Sequence, residues 1–126
     1  MREISNVAVI GGGLIGMGWV SLFLARGMNV VVVDPRHEVE EDTNRFVEKA
    51  WPMLKALDLT TCSEPQKVKF TTEINDLNGI DFVQENGPDR IDIKRKIISQ
   101  LEKVIDSNVI ISSSTSSLKA TDIQSD

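Results

Sequence analysis

Residues 7–16 read Val7-Ala8-Val9-Ile10-Gly11-Gly12-Gly13-Leu14-Ile15-Gly16. A short β-branched apolar run passes straight into glycines, and an apolar segment with helical spacing follows. The glycines fit G-x-G-x-x-G, with Gly11, Gly13 and Gly16 at the fixed places. Alone the pattern is weak. Between a strand and a helix each glycine acquires a physical task. Gly11 permits the tight turn, Gly13 lets a pyrophosphate approach the backbone, and Gly16 lets the helix pack closely on the strand. Gly11, Gly12, Gly13, Leu14, Ile15 and Gly16 are therefore the candidate phosphate-binding residues. The ligand would sit at the helix N-terminus, where unpaired N–H groups and the positive end of the dipole meet it. The loop holds no Lys, which excludes a Walker-type phosphate loop.

The next signal lies at the end of a four-valine run, residues 30–33. Asp34 follows it, at the expected spacing of about 20 residues from the glycines. A carboxylate there accepts both hydroxyls of an adenosine ribose and repels a 2′-phosphate, which favours NAD over NADP. Arg36 pulls the other way, because a guanidinium can stack on adenine or reach a phosphate. The bland alternative is a glycine turn beside a solvated acid. It requires strand, glycines, helix, second strand and acid to fall in register by chance.

Five short apolar runs punctuate the chain, at 7–10, 29–33, 68–71, 80–83 and 108–111. Runs this short and this rich in Val and Ile read as buried strands of a parallel sheet. Helical spacing fills the gaps over 14–26, 39–57 and 91–105. Gly27 is a good stop for the first helix. Pro52 is expected to split the second into two pieces. In the third, Ile91, Ile97, Ile98, Leu101, Val104 and Ile105 form an apolar face, with Lys94, Arg95 and Lys96 expected elsewhere. The order predicts an α/β fold, a Rossmann-type doubly wound parallel sheet with helices on both faces. Residues 112–117 hold five serines and one threonine, which by composition alone also suits a flexible linker.

Composition agrees with one domain spanning 1–126: 126 residues, 40% hydrophobic and 26% charged, suffice for one core. The single cysteine, Cys62, forms no internal bridge and fits a reducing compartment. A formal charge of −5 disfavours nucleic-acid partners. The first residues are too short an apolar run for a signal peptide, and no stretch approaches the length of a membrane span. A cytoplasmic protein with no membrane partner and no metal is the expectation.

VAVIGGGLIGMGW, VVVVDP, DFVQENGPDRIDIKRKII and VIISSSTSSL, in this order, resemble the NAD-binding domain of the L-3-hydroxyacyl-CoA dehydrogenase family. Trp19, the Gln84-Glu85 pair and the Ser-Thr-Ser segment resemble its L-carnitine 3-dehydrogenase and lambda-crystallin branch. The resemblance implies oxidation of a 3-hydroxyl group to a ketone with NAD, on a small-molecule substrate. It implies a C-terminal helical domain, absent from this chain, that completes the substrate site and makes a homodimer. The family's catalytic His–Glu pair lies beyond the serine segment in an H-x-x-N-P-type motif, which the chain stops short of. An expression fragment or a truncated gene product is thus expected, inactive alone. His37, the single histidine, lies beside the ribose acid and reads as a surface residue. By resemblance Ser116 bonds the reacting substrate oxygen, while Lys94 and Asp89 lie near the cofactor, Asp89 in place of the usual Glu. A solvated Lys94 and a linker Ser116 are the bland alternatives. The segment between Asp34 and Val68 looks shorter than the excursion that contacts CoA in acyl-CoA enzymes, which weighs against a CoA ester. Two other readings stand beside this one: an FAD module of a flavoprotein, and a non-enzymatic, crystallin-like NAD-binding protein.

Overall fold

The computed structural model describes residues 4–87 and 90–113. The chain alternates strand and helix: β1 (Asn6–Ile10), α1 (Leu14–Ala25), β2 (Asn29–Val33), α2 (Val39–Ala56), β3 (Lys69–Thr71), a 3-10 turn (Ile74–Asp76), β4 (Phe82–Glu85), α3 (Ile91–Val104) and β5 (Ile110–Ser113). The sheet order is β3-β2-β1-β4-β5, and every pairing is parallel. The chain runs outward from β1 to β3, then crosses back to β4 on the other side of β1. The switch point therefore lies between β1 and β4. Register brings Ile10, Val33 and Glu85 level at the C-terminal edge.

The valine runs are continuous because both sheet faces are covered. Val7, Val9, Val30 and Val32 pack with Val20 and Leu24 of α1 and with Val47, Trp51 and Leu54 of α2. Ala8, Ile10, Val33 and Val83 face the other way, toward Ile98 and Leu101 of α3 and toward Ile74, Leu77 and Ile80. The doubly wound parallel sheet expected from the sequence is the observed fold. Gly27 ends α1 with φ +81, a conformation costly for other residues. No helix of the described residues is long and apolar enough to cross a membrane.

Three expectations need correction. Pro52 does not split α2, which runs unbroken through it. Pro52 and Glu48, whose carbonyl loses a partner there, both belong to exposed residues, while Val47, Trp51 and Leu54 hold the helix to the sheet on both sides of the proline. Trp51 Nε1 also donates to the Ser63 carbonyl at 3.0 Å. Second, β4 and β5 begin two residues later than the apolar runs, so Gln84, Glu85, Ser112 and Ser113 are strand residues. Neighbouring-strand pairing, not side-chain polarity, sets those ends. Third, Lys94 is not on the solvated side of α3 but fully buried. It shares the helical stripe of Ile98, Leu101 and Ile105.

Candidate dinucleotide site

The strand-to-helix turn is built by backbone. Gly11 takes φ +91 and donates its N–H to the Val33 carbonyl at 2.8 Å. Gly16 sits hard against that turn, since a Cβ on it would stand 2.1 Å from the Gly11 carbonyl oxygen. Gly13 is the opposite case: a Cβ there would meet nothing within 4 Å. Gly13 is the N-cap of α1, with no side-chain cap and no acid in the first turn. The positive helix end is thus open toward a floor of bare backbone, a seat that fits a pyrophosphate. Leu14 and Ile15, the first two residues of α1, are 72% and 63% exposed and do not line the cleft described below.

Asp34 follows the last residue of β2 and is buried. Its Oδ2 accepts the Gly12 N–H at 2.7 Å, so Gly12 serves the acid with its amide. Arg36 donates to Oδ1 through its own N–H at 2.9 Å and Nε at 3.0 Å, and to Oδ2 through Nη2 at 3.1 Å. Burial by itself would raise the Asp34 carboxyl. The hydrogen bonds from the Arg36 guanidinium and from the Gly12 and Arg36 amides outweigh it and hold the group below its ordinary value of 3.8. The same pairing raises Arg36. Because the folded-state value is depressed, Asp34 contributes stability above the ordinary carboxylate range and loses it as pH falls through the lowered value. Arg36→Ala removes the leading lowering partner, so Asp34 should titrate at higher pH. Its carboxyl carbon, followed by NMR in both proteins, reads this directly; coincident titration curves would show that Arg36 does not hold the acid.

A cleft of about 610 Å³ runs along this edge of the sheet. Asp34, Pro35 and Arg36 form one end, Gly11 and Gly13 the middle, and Asn86 and Gly87 the other end, with Lys96 and Ile97 of α3 on the wall. It lies outside the C-terminal ends of β1, β2 and β4, across the switch point, where open α/β sheets bind ligands. A larger hollow of about 800 Å³, between α2 and residues 64–68, lies away from this edge and gathers no glycine-loop residue.

At the far end the structure holds a cluster that the sequence reading missed. Glu85 and Lys94 are both fully buried, with Lys94 Nζ 2.9 Å from Oε1 and 3.2 Å from Oε2. Lys94 Nζ also donates to the Gly87 carbonyl at 3.0 Å. Ser113 Oγ donates to Glu85 Oε1 at 2.8 Å. The clue in the sequence was the position of Lys94, four residues before Ile98 on the apolar stripe. A lysine there demands a buried carboxylate, and Glu85 ends the adjacent strand. Lys96, exposed on the cleft wall, was also passed over. Asp89 and Ser116 lie outside the described residues.

Fold and cleft together define a dinucleotide-binding domain of the Rossmann class. The family model "3-hydroxyacyl-CoA dehydrogenase, NAD binding domain" matches residues 6–126, and the chain belongs to that family. An L-carnitine dehydrogenase of Streptomyces coelicolor is 37% identical over 124 residues, 98% of this chain and 39% of the relative. One from Oceanobacillus iheyensis is 37% identical over 122 residues, 96% of this chain and 40% of the relative. Among solved structures, 5-formyl-3-hydroxy-2-methylpyridine 4-carboxylic acid 5-dehydrogenase, described as an NAD+-dependent dismutase, superposes with TM-score 0.85 at 31% identity, over 97% of this chain and 40% of that one. The (S)-3-hydroxybutyryl-CoA dehydrogenase of Ralstonia eutropha gives TM-score 0.81 at 29% identity, over 96% and 44%. The chain thus spans about two-fifths of the length of these curated relatives.

Proposed function

We propose that this chain is the cofactor-binding part of an NAD-dependent dehydrogenase that oxidises a 3-hydroxyl group to a ketone. The observation that carries this is Asp34, an ionised acid at the tip of β2, at one end of a cleft that crosses the switch point. Asp34 holds the adenosine ribose, and the Gly13 floor with the α1 terminus holds the pyrophosphate. NAD, when bound, supplies the hydride acceptor. Ser116 stands by the reacting oxygen, since a hydroxyl both donates and accepts and so serves alcohol and ketone alike. Asp89 and Lys94 belong to the nicotinamide end. The substrate class is a small 3-hydroxy acid without CoA, a reading supported by the names of the L-carnitine dehydrogenase relatives. A cytoplasmic homodimer is the proposed form of the working enzyme.

Titration calorimetry with NAD+ and NADP+ tests the cofactor reading. NAD+ should bind more tightly. Asp34→Ala should weaken NAD+ about 10- to 100-fold, the size of a lost charge-assisted hydrogen bond, and narrow the gap to NADP+. Tighter NADP+ binding by the unchanged protein would mean that Arg36, not Asp34, sets the preference.

The proton of the 3-hydroxyl needs a base. His37, the single histidine, is exposed just beyond Asp34 and Arg36, at the adenosine end. The 126-residue chain mixed with NAD+ and L-carnitine or 3-hydroxybutyrate should therefore form no NADH. A steady rise in absorbance at the NADH band would refute this.

A further inference from the structure

Glu85 is the hub of the buried cluster at the β4–β5 end of the cleft. Its Oε1 accepts from Lys94 of α3 and from Ser113 of β5, and its Oε2 accepts from the Gly87 N–H and from Lys94. Two buried charges are a poor device for stability, because desolvation offsets their attraction and an apolar pair of similar volume often does as well. What the charges supply is direction. Glu85 binds the N–H of Gly87 while Lys94 binds its carbonyl, so one residue of the loop is gripped at both polar groups. The fit leaves no slack: a Cβ on Gly87 would stand 2.6 Å from Glu85 Oε2 and 3.1 Å from Ile97 Cδ1. Asn86, the residue before, donates its N–H to the Ile10 carbonyl at 2.8 Å. The Asn86 carbonyl oxygen lies 3.0 Å from where a Cβ on Gly11 would be. The gripped loop is therefore the wall on which the glycine turn rests, on the side of the switch point opposite Asp34. In a two-sided dinucleotide cleft, that side takes the half that carries the nicotinamide.

We propose that Glu85 is a positioning residue: through Lys94, Gly87 and Ser113 it sets the shape of the nicotinamide half of the seat without touching the dinucleotide. The inference rests on the NAD-binding reading above. It assigns Lys94 to the same clamp, with its ammonium spent on Glu85 and Gly87.

The test uses the 126-residue chain and two ligands. NAD+ occupies both halves of the cleft; ADP keeps the adenosine and both phosphates but lacks the nicotinamide riboside. Two variants are compared, Glu85→Gln and the apolar double change Glu85→Leu/Lys94→Met. Both should lose NAD+ affinity about tenfold, as for one lost hydrogen bond, with ADP affinity unchanged. The double variant should melt at or above the unchanged chain and still show the NAD+ deficit, which a merely stabilising pair would not produce. Parallel loss of NAD+ and ADP, recovery of NAD+ affinity in the double variant, or failure of the double variant to fold would each make the pair structural and overturn the proposal. An unchanged chain that binds ADP as tightly as NAD+ would overturn it while leaving the adenosine site standing. An unchanged chain that binds neither ligand would remove the NAD-binding reading and the proposal together.

Discussion

Gly16→Ala is expected to lower the thermal midpoint by about 10 °C and to abolish measurable NAD+ binding, whereas Gly13→Ala should leave the midpoint within about 2 °C and still weaken NAD+. The two changes add the same methyl group three residues apart. At Gly16 the new Cβ lies 2.1 Å from the Gly11 carbonyl oxygen and 3.1 Å from its carbon. Both atoms are backbone of the turn between β1 and α1, so no side chain can swing aside. Either α1 lifts from the sheet or the turn opens. Overpacking of this kind costs about 1–3 kcal/mol, and at this chain length each kcal/mol moves the midpoint by roughly 3–5 °C. The pyrophosphate seat moves with the helix, so binding fails even in molecules that fold. At Gly13 the new Cβ meets nothing within 4 Å, and φ is −72°, which any residue adopts. The free protein does not register the change. The phosphates do, because they need the space that the missing Cβ leaves. Differential scanning fluorimetry and calorimetry on both variants separate the two effects. Equal midpoints for the two variants would mean that α1 does not need Gly16 for its seat.

Much of this molecule is legible in the sequence because backbone requirements leave residue-level traces. A turn with positive φ and a close helix–strand contact need glycine, and both appear as Gly11 and Gly16. A sheet covered on both faces needs continuous apolar strands, and the valines of β2 supply one. Asp34 is legible because a lone acid directly after such a strand has no packing reason to be there. The misses share another cause. Local propensity marks Pro52 as a breaker, but Trp51 and Leu54 hold α2 to the sheet across it. The apolar runs stop at 83 and 111, yet the strands go on through Gln84, Glu85, Ser112 and Ser113, because β1 and β4 continue the ladder beside them. Lys94 looked solvated because its counter-ion is nine residues earlier on a different element. Each miss is a long-range partner overruling a local preference. Glu85 and Lys94 form a buried ion pair at the end of the cleft, with the exposed Ser113 donating to it, and no local pattern in the sequence links the three.

On the proposed function, Ser116→Ala in the full-length enzyme should lower turnover by roughly 10²–10³, the effect of deleting a hydrogen-bond donor aimed at an oxygen on which charge develops. The family resemblance implies that Ser116 bonds that oxygen; Ser116 itself lies outside the described residues. β5 ends at Ser113, level with Glu85 of β4, on the edge of the sheet where ligands bind. The serines of 112–117 are then not equivalent. Ser113 gives its hydroxyl to Glu85, and so belongs to the clamp that shapes the seat. Ser113→Ala should therefore disturb NAD+ affinity first and turnover through it. Ser116→Ala should do the reverse, leaving NAD+ affinity nearly intact, because the ribose and pyrophosphate contacts lie at Asp34 and the glycine turn. If Ser116 serves the substrate and not the fold, the thermal midpoint should hardly move. Steady-state rates, NAD+ affinity and thermal midpoint measured on both serine variants decide between catalysis and architecture. A collapsed midpoint in Ser116→Ala, with the rate per folded molecule preserved, would make Ser116 a structural serine and leave the reacting oxygen without its partner.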